Sequence, residues 1–252
     1  MEVKAYFMEL AIDTSSNRAS IALSDRGGTL ALFAWHTASN HSRELLPNLN
    51  RLLQHAKARL SSVEAIIVAR GPGSFNGLRV GISTAKGLAL VLDVPLLAID
   101  TLEAEAYPFG FTAFPLRPIH RAGREEIATA LYRQEDDEWH CLEETRLTTV
   151  SALCRETTRK TLFCGEIPAD MMSEIAHRLG SKAIIPGGEA LFRSSALAAL
   201  GYLRLSKGHR DDPVTLQPLY LRPPNITKPR PRTPPTVSPG AKSENSTWKT
   251  PG

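Results

Sequence analysis

The residues best suited to chemistry lie in one glycine-rich segment, Arg70 to Arg79, with the sequence Arg-Gly-Pro-Gly-Ser-Phe-Asn-Gly-Leu-Arg. The apolar run Ile66-Ile67-Val68 before it predicts a buried strand, and a helix is predicted from Leu78 to about Leu92. A glycine-rich turn between a strand and a helix can point backbone N–H groups at an anion. The candidate residues for an anion site or a protein interface are Gly71, Gly73, Ser74, Gly77 and Arg79.

Two common site motifs do not fit this segment. The GxxxxGK[ST] spacing and its lysine, which define the phosphate loop of many nucleotide-binding proteins, are missing. Ser74 is not flanked as GxSxG, the pattern around a hydrolase nucleophile. A tight structural turn, in which the glycines only permit close packing, therefore stays open beside the anion site.

One carboxylate, Asp13, is a weaker candidate for a nucleotide site. It follows the predicted strand over residues 8–12 and begins the turn Asp13-Thr14-Ser15-Ser16-Asn17. An Asp there also commonly accepts hydrogen bonds from the amides of its own turn, and both roles stay open. The histidines and the three cysteines lack the spacings of metal sites, so the sequence predicts neither a metal site nor a set of catalytic residues.

The predicted elements of the first half have a recognisable order. They are strands over 8–12, 19–23 and 29–35, a helix over 42–59, a strand over 63–69, the helix from 78 and a strand over 94–99. This β-β-β-α-β-α-β order matches the ribonuclease-H-like half that actin-type ATPases use twice. We predict an α/β, actin-like ATPase fold with two α/β domains, the second degenerate because no repeat is visible in the sequence.

The second half is predicted less sharply. Strands are expected over 115–120, 126–132, 161–164 and 183–185, and helices over 150–157, 169–179 and 189–207. The predicted domains are 1–105 and 106–222, followed by a tail over 223–252. The tail holds eight prolines in 30 residues and five basic residues against one acid, so we predict a disordered basic tail.

Composition narrows the function classes. The chain is 42% hydrophobic and 22% charged, as in globular proteins with a real core. Its net charge of +4 belongs to the tail, because residues 1–222 hold 25 basic and 25 acidic residues. The body is therefore not a broadly basic nucleic-acid platform. No apolar run approaches the roughly 20 residues of a membrane span and no secretory signal is visible, so we expect a cytoplasmic protein.

The helix predicted over 42–59 has an unusually wide apolar stripe. One sheet face covers about half of a helix circumference. The stripe is wider than that, which leaves two interpretations: a deeply buried core helix, or a helix that packs on its sheet and also binds a partner. The candidate interface residues are Leu45, Leu46, Leu49, Leu52 and Leu53.

Four segments carry a resemblance to a known family. They are Leu-Ala-Ile-Asp-Thr-Ser at 10–15, His-Ser-Arg-Glu-Leu-Leu-Pro at 41–47, the block at 71–89 that begins Gly-Pro-Gly-Ser-Phe-Asn-Gly-Leu-Arg, and Leu-Tyr-Leu-Arg at 219–222. Together they resemble the TsaB family, also called YeaZ. The resemblance extends over residues 8 to 222 and is stronger in the first half.

The resemblance implies a role in making N6-threonylcarbamoyladenosine (t6A) at position 37 of tRNAs. It implies a non-catalytic subunit that scaffolds and activates TsaD, with the ATPase TsaE as a further partner and a homodimer when TsaD is absent. ATP and Mg²⁺ would be used by the complex, with no cofactor in this subunit. The alternative is an enzyme, an ATP-dependent phosphotransferase of the same fold that uses Asp13 and the loop over 71–77.

Overall fold

Two mixed five-stranded sheets organise the chain. The computed structural model describes residues 7–221 except 39, 137 and 188–191. The strands are β1 Met8–Asp13, β2 Arg18–Asp25, β3 Gly28–His36, β4 Val63–Gly71, β5 Leu96–Asp100, β6 Leu116–Arg121, β7 Glu126–Glu135, β8 Glu138–Thr149, β9 Thr161–Cys164 and β10 Ala183–Ile184. The α-helices are α1 His41–His55, α2 Phe75–Leu92, α3 Thr101–Ala106, α4 Val150–Glu156, α5 Ala169–Leu179 and α6 Arg193–Ser206.

The two sheets share one topology. In the first, with strand order β3-β2-β1-β4-β5, β1 to β3 are antiparallel and β4 and β5 run parallel to β1. In the second, with order β8-β7-β6-β9-β10, β6 to β8 are antiparallel and β9 and β10 run parallel to β6. The second half therefore repeats the first, which confirms the predicted fold class. Its β9 and β10 have four and two residues where β4 and β5 have nine and five, which makes it the reduced copy.

The core of the first half lies on both faces of its sheet. On one face α1 and α2 cover apolar side chains of β1, β2 and β4. On the other face lies α6, which follows the second sheet in the sequence. Gly201 allows this close approach, because a Cβ at Gly201 would come within 2.5 Å of Ile67 Cγ1.

The last helix of each half packs on the other half's sheet. The helix α3 follows the first sheet in sequence but packs on the second through Leu102 and Ala106. Conversely, α6 follows the second sheet and packs on the first through Leu197 and Leu200. This exchange places α3 and the start of α6 at the junction of the two sheets, where the candidate site lies.

The predicted elements of the first half are confirmed, with shifted ends. Helix α1 ends at His55 rather than near residue 59, because Lys57 adopts a positive φ of 51° that stops the helix. In the second half, the prediction missed α3 and the long strand β8.

Three further predictions concern the domain boundary, the tail and membrane spans. The expected boundary at 105/106 falls within α3, between the strands of the two sheets. The predicted tail over 223–252 lies outside the described residues. Within the described part of the chain, no helix is both long and apolar enough to cross a membrane.

Candidate functional site

A buried cluster of charged side chains lies where the two sheets meet. Its centre is Arg193, the first residue of α6, which is 3% exposed. Its Nε donates to Asp13 Oδ2 at 2.6 Å, and its Nη1 donates to Glu105 Oε1 at 2.9 Å and to Glu166 Oε1 at 2.8 Å. A single guanidinium thus binds three carboxylates that are 27 to 180 residues away in sequence.

The other guanidinium nitrogen connects Arg193 to the turn after β1. Its Nη2 donates to Ser16 Oγ at 2.8 Å and to the carbonyl oxygen of Arg18 at 3.4 Å. Ser16 Oγ also donates to Glu166 Oε1 at 2.7 Å, so the first-sheet turn and the loop after β9 are joined directly. The cluster therefore joins the two halves both through Arg193 and through the direct bond from Ser16 to Glu166.

The charges in this cluster shift the pKa values of its members. Burial alone would lower the pKa of the Arg193 guanidinium, but Asp13, Glu105 and Glu166 raise it above its usual value. Burial raises the pKa of Glu166, but the charge of Arg193 and hydrogen bonds from Ser16 and Arg193 bring it below its usual value. Arg193 and Glu166 are therefore both charged near neutral pH.

Asp13, the candidate nucleotide-site carboxylate, is fully engaged within the chain. Its Oδ1 accepts hydrogen bonds from the backbone N–H of Ser15 at 2.9 Å and from Ser15 Oγ at 2.6 Å. Its Oδ2 accepts from Arg193, and the residue is 0% exposed. Asp13 thus has the turn-stabilising role that the sequence left open, and it faces a guanidinium rather than an open site.

The glycines of the glycine-rich loop pack against that same turn. A Cβ at Gly73 would lie 2.3 Å from the carbonyl oxygen of Ser15, and one at Gly77 would lie 2.1 Å from that of Thr14. Ser15 and Thr14 bind the loop further, since Ser74 N donates to Ser15 O at 2.6 Å and Thr14 Oγ1 to Gly77 O at 2.8 Å. Close packing within the chain therefore accounts for Gly73 and Gly77, as the structural-turn interpretation predicts.

Beyond these glycines, the loop presents polar and aromatic groups at the surface. Ser74 caps α2 by accepting the N–H of Gly77 at 3.3 Å. The Arg79 guanidinium lies 5.1 Å from the ring centroid of Phe75, and that ring stacks on Tyr220 at 5.1 Å. The predicted residues Ser74 and Arg79 are thus exposed next to an aromatic pair at the start of α2.

The prediction of a partner-facing leucine stripe on α1 is wrong for four of its five members. Helix α1 packs on the sheet and also beside α2, so two of its sides are buried and the wide stripe is core. Only Leu46 of the five is exposed, at 54%. The four buried members are Leu45, Leu49, Leu52 and Leu53.

Exposed apolar side chains remain on both α1 and α2. Leu46 is one of them, and Leu90 and Val91, near the C-terminal end of α2, are 62% and 85% exposed. We call these three residues the apolar patch.

Sequence reasoning missed Arg193, Glu105 and Glu166. Glu166 lies in the loop after β9, the counterpart in the second half of the glycine-rich loop after β4. The sequence offers one signal, a glycine directly after the predicted strand over 161–164. In the structure this Gly165 has a positive φ of 99°, as Gly71 after β4 has at 115°. Spacing could not have revealed Arg193, whose partners lie in three separate parts of the sequence.

Comparisons with known proteins agree with this architecture. The family model for TsaD, tRNA N6-adenosine threonylcarbamoyltransferase, matches residues 34–210. The tRNA threonylcarbamoyladenosine biosynthesis protein TsaB of Bacillus subtilis is 31% identical over 216 residues, which cover 84% of this chain and 93% of the relative. A tRNA N6-adenosine threonylcarbamoyltransferase of Solidesulfovibrio magneticus is 37% identical over 110 residues, or 38% of this chain and 30% of the relative. Among solved structures, YeaZ from Pseudomonas aeruginosa has the same fold, with a TM-score of 0.71 at 24% identity over 85% of this chain and 99% of that one.

Proposed function

Because this chain belongs to the TsaB family and so takes part in t6A formation, we propose that it is a non-catalytic subunit that binds and activates TsaD. ATP and Mg²⁺ are used elsewhere in the complex, with TsaE as a further partner, and the subunit itself carries no cofactor. A complex that modifies tRNA works where tRNA is found, so the protein acts in the cytoplasm.

The engagement of Asp13 carries the non-catalytic part of this proposal. A phosphotransferase of this fold would need Asp13 to face a metal-bound nucleotide. Both of its carboxylate oxygens already accept hydrogen bonds, from Ser15 and from the permanently charged Arg193. Freeing Asp13 would leave Arg193 buried without one of its partners, at a cost of roughly 3–5 kcal/mol.

The apolar patch of Leu46, Leu90 and Val91 is the proposed contact surface for TsaD. Exposed apolar side chains on two neighbouring helices favour association with another protein. The helix α1 singled out by the sequence is therefore retained as an interface element, but through Leu46 instead of the four leucines that form its core. A second copy of the chain can cover the same patch when TsaD is absent.

Co-elution with TsaD after a Leu46→Asp substitution tests the contact surface. An Asp buried in an apolar interface loses its hydration, at a cost of several kcal/mol if it stays charged. A micromolar complex has a binding free energy of about 8 kcal/mol. We therefore expect co-elution to be lost, while the circular-dichroism melt of the variant stays close to that of the wild type because Leu46 is exposed.

Two further variants make the result specific. Leu203→Asp, at a 42% exposed leucine on α6, should keep both the fold and TsaD binding. Leu53→Asp, at an 8% exposed core position, should lose stability instead. A folded Leu46→Asp variant that still co-elutes with TsaD would show that the interface lies elsewhere.

A further inference from the structure

A groove of about 520 Å³ at the C-terminal end of α6 is lined mainly by basic side chains. Five of its nine lining residues are arginine, lysine or histidine. They come from the end of β4, from the last turn of α6 and from the segment just after it. We call these five residues the basic groove: Arg70, Arg204, Lys207, His209 and Arg210.

Two members of the basic groove are paired and three are free. Arg70 is paired with Asp100, and Arg204 Nη2 lies 2.6 Å from Glu103 Oε2. The other three side chains are exposed, and none of them has a hydrogen bond or an ion pair with any residue that the structure describes; they are Lys207, His209 and Arg210. Their donors are therefore available to an external anion.

Hydrogen bonds fix the backbone that carries these free side chains. Gly208 ends α6 with a positive φ of 82° and donates to Leu205 O at 2.9 Å. His209 N donates to Arg204 O at 3.0 Å, and Asp211 N donates to Leu96 O on β5 at 2.8 Å. Asp211, the one acid that lines the groove, uses its Oδ2 to accept the N–H of Ala98 at 2.8 Å. The backbone of the segment is thus attached to the sheet edge, and it needs little ordering on binding.

A second basic element follows in the sequence. The N–H of Leu219 donates to the carbonyl oxygen of Arg70, a groove residue, at 2.7 Å. Four residues after Leu219 the sequence enters the segment 223–252, with five basic residues and one acid. In the sequence, the excess positive charge of the chain therefore begins a few residues after Leu219.

We propose that the basic groove binds the phosphate backbone of tRNA; this inference rests on the proposed function, which makes tRNA the substrate of the complex. Guanidinium and ammonium groups are the usual partners of phosphate oxygens. An open groove of this size accommodates more than one phosphate, as a continuous nucleic-acid backbone requires. Such contacts position the tRNA without selecting its sequence.

The salt dependence of tRNA binding tests this contact. The double substitution Lys207→Gln and Arg210→Gln removes two free charges and is made in the full chain bound to TsaD. Labelled tRNA is titrated by fluorescence anisotropy between about 50 and 200 mM salt. Each lost phosphate contact reduces the slope of log K against log salt by about 0.7–0.9. The slope should therefore become shallower by about 1.4–1.8, and affinity near 0.1 M salt should fall by about 25- to 60-fold.

Matched variants separate a local contact from a general charge effect. Arg124 and Lys182 are also exposed and have no hydrogen bond or ion pair with a described residue, so Arg124→Gln with Lys182→Gln changes the net charge equally. This pair should leave the slope unchanged, and the exchange Lys207→Arg with Arg210→Lys should preserve it. If the control pair lost as much slope and affinity as the groove variant, the groove proposal would be overturned. A groove variant with the slope and affinity of the wild type would overturn it as well.

The outcomes distinguish the groove from the proposed function. If the groove variant still co-elutes with TsaD but binds tRNA with an unchanged slope, the groove proposal is wrong and the subunit role stands. An acidic protein partner of the groove would give this same result. If the wild-type chain fails to associate with TsaD, the proposed function is contradicted, and the tRNA assignment of the groove is overturned with it.

Discussion

Substitution of Arg193 by Met should destabilise the folded chain strongly. The change keeps the unbranched hydrocarbon part of the side chain but removes a guanidinium that makes five hydrogen bonds. Asp13, Glu105 and Glu166 would remain close together without their shared cation. Removing one partner of a buried ion pair costs about 3–5 kcal/mol. For a chain of this size, that corresponds to a fall in the thermal midpoint of about 6–20 °C.

The matched control is Arg178→Met on α5. Arg178 pairs with Glu174 one turn earlier at 2.7 Å, but their side chains are 45% and 40% exposed. Exposed helix pairs of this kind contribute about 0.3–0.5 kcal/mol. Equilibrium unfolding in urea measures the loss of unfolding free energy in Arg193→Met and in Arg178→Met. Urea is chosen because guanidinium ions could enter the space left by Arg193.

The pH dependence of the stability of Arg193→Met shows whether the loss comes from the removed charge or from poorer packing. The pKa of Glu166 is lowered in the folded wild type, so its contribution is present above about pH 4.5 and is lost as pH falls through the folded-state pKa. In Arg193→Met, Glu166 loses the cation that lowers its pKa, so its protonation on acidification relieves its repulsion with the neighbouring carboxylates. The difference in the free energy of unfolding between the wild type and Arg193→Met should therefore be largest near neutral pH and become smaller on acidification. A gap that does not change with pH, or one no larger than that of Arg178→Met, would refute this account of the cluster.

Three shorter predictions test other parts of the structure. Gly77→Ala should lower the urea midpoint because its Cβ would lie 2.1 Å from Thr14 O. The control Gly87→Ala, whose Cβ would meet nothing within 4 Å, should raise the free energy of unfolding by up to about 1 kcal/mol. Equal effects of the two substitutions would contradict the packing explanation. The isolated chain should hydrolyse ATP no faster than a buffer blank, and turnover that Asp13→Ala abolishes would support the phosphotransferase instead. Deleting residues 225–252 should leave the thermal midpoint unchanged, because a proline-rich polar segment buries little surface, and a drop of several degrees would show that it docks.

Local sequence patterns predicted most of the first half. Apolar runs separated by glycine and polar turns identified β1 to β5, and the strand–loop–helix order located the start of α2 next to the glycine-rich loop. These signals are local, because side-chain periodicity and turn residues act over a few positions. The short strands of the second half give weaker signals, and its repeat of the first-half topology is visible only in three dimensions.

The site depended on contacts that no local pattern encodes. Arg193 binds Asp13, 180 residues away in sequence, because α6 packs on the first sheet. The spacing of residues in the sequence does not predict this packing. The prediction that the leucine stripe of α1 faces a partner was wrong for a related reason. Its width follows from packing on two neighbours, so periodicity alone could not tell a doubly buried helix from one with an exposed binding face. Leu46 differs from Leu45 and Leu49 only in the direction in which it points.

The t6A content of tRNA from cells that lack this chain tests its role in the TsaD complex most directly. Mass spectrometry of hydrolysed tRNA should show that t6A is lost, and that the wild-type chain and Leu203→Asp restore it. Leu46→Asp should not restore t6A at an equal protein level, because it no longer binds TsaD. An unchanged t6A content in the absence of the chain would contradict the account.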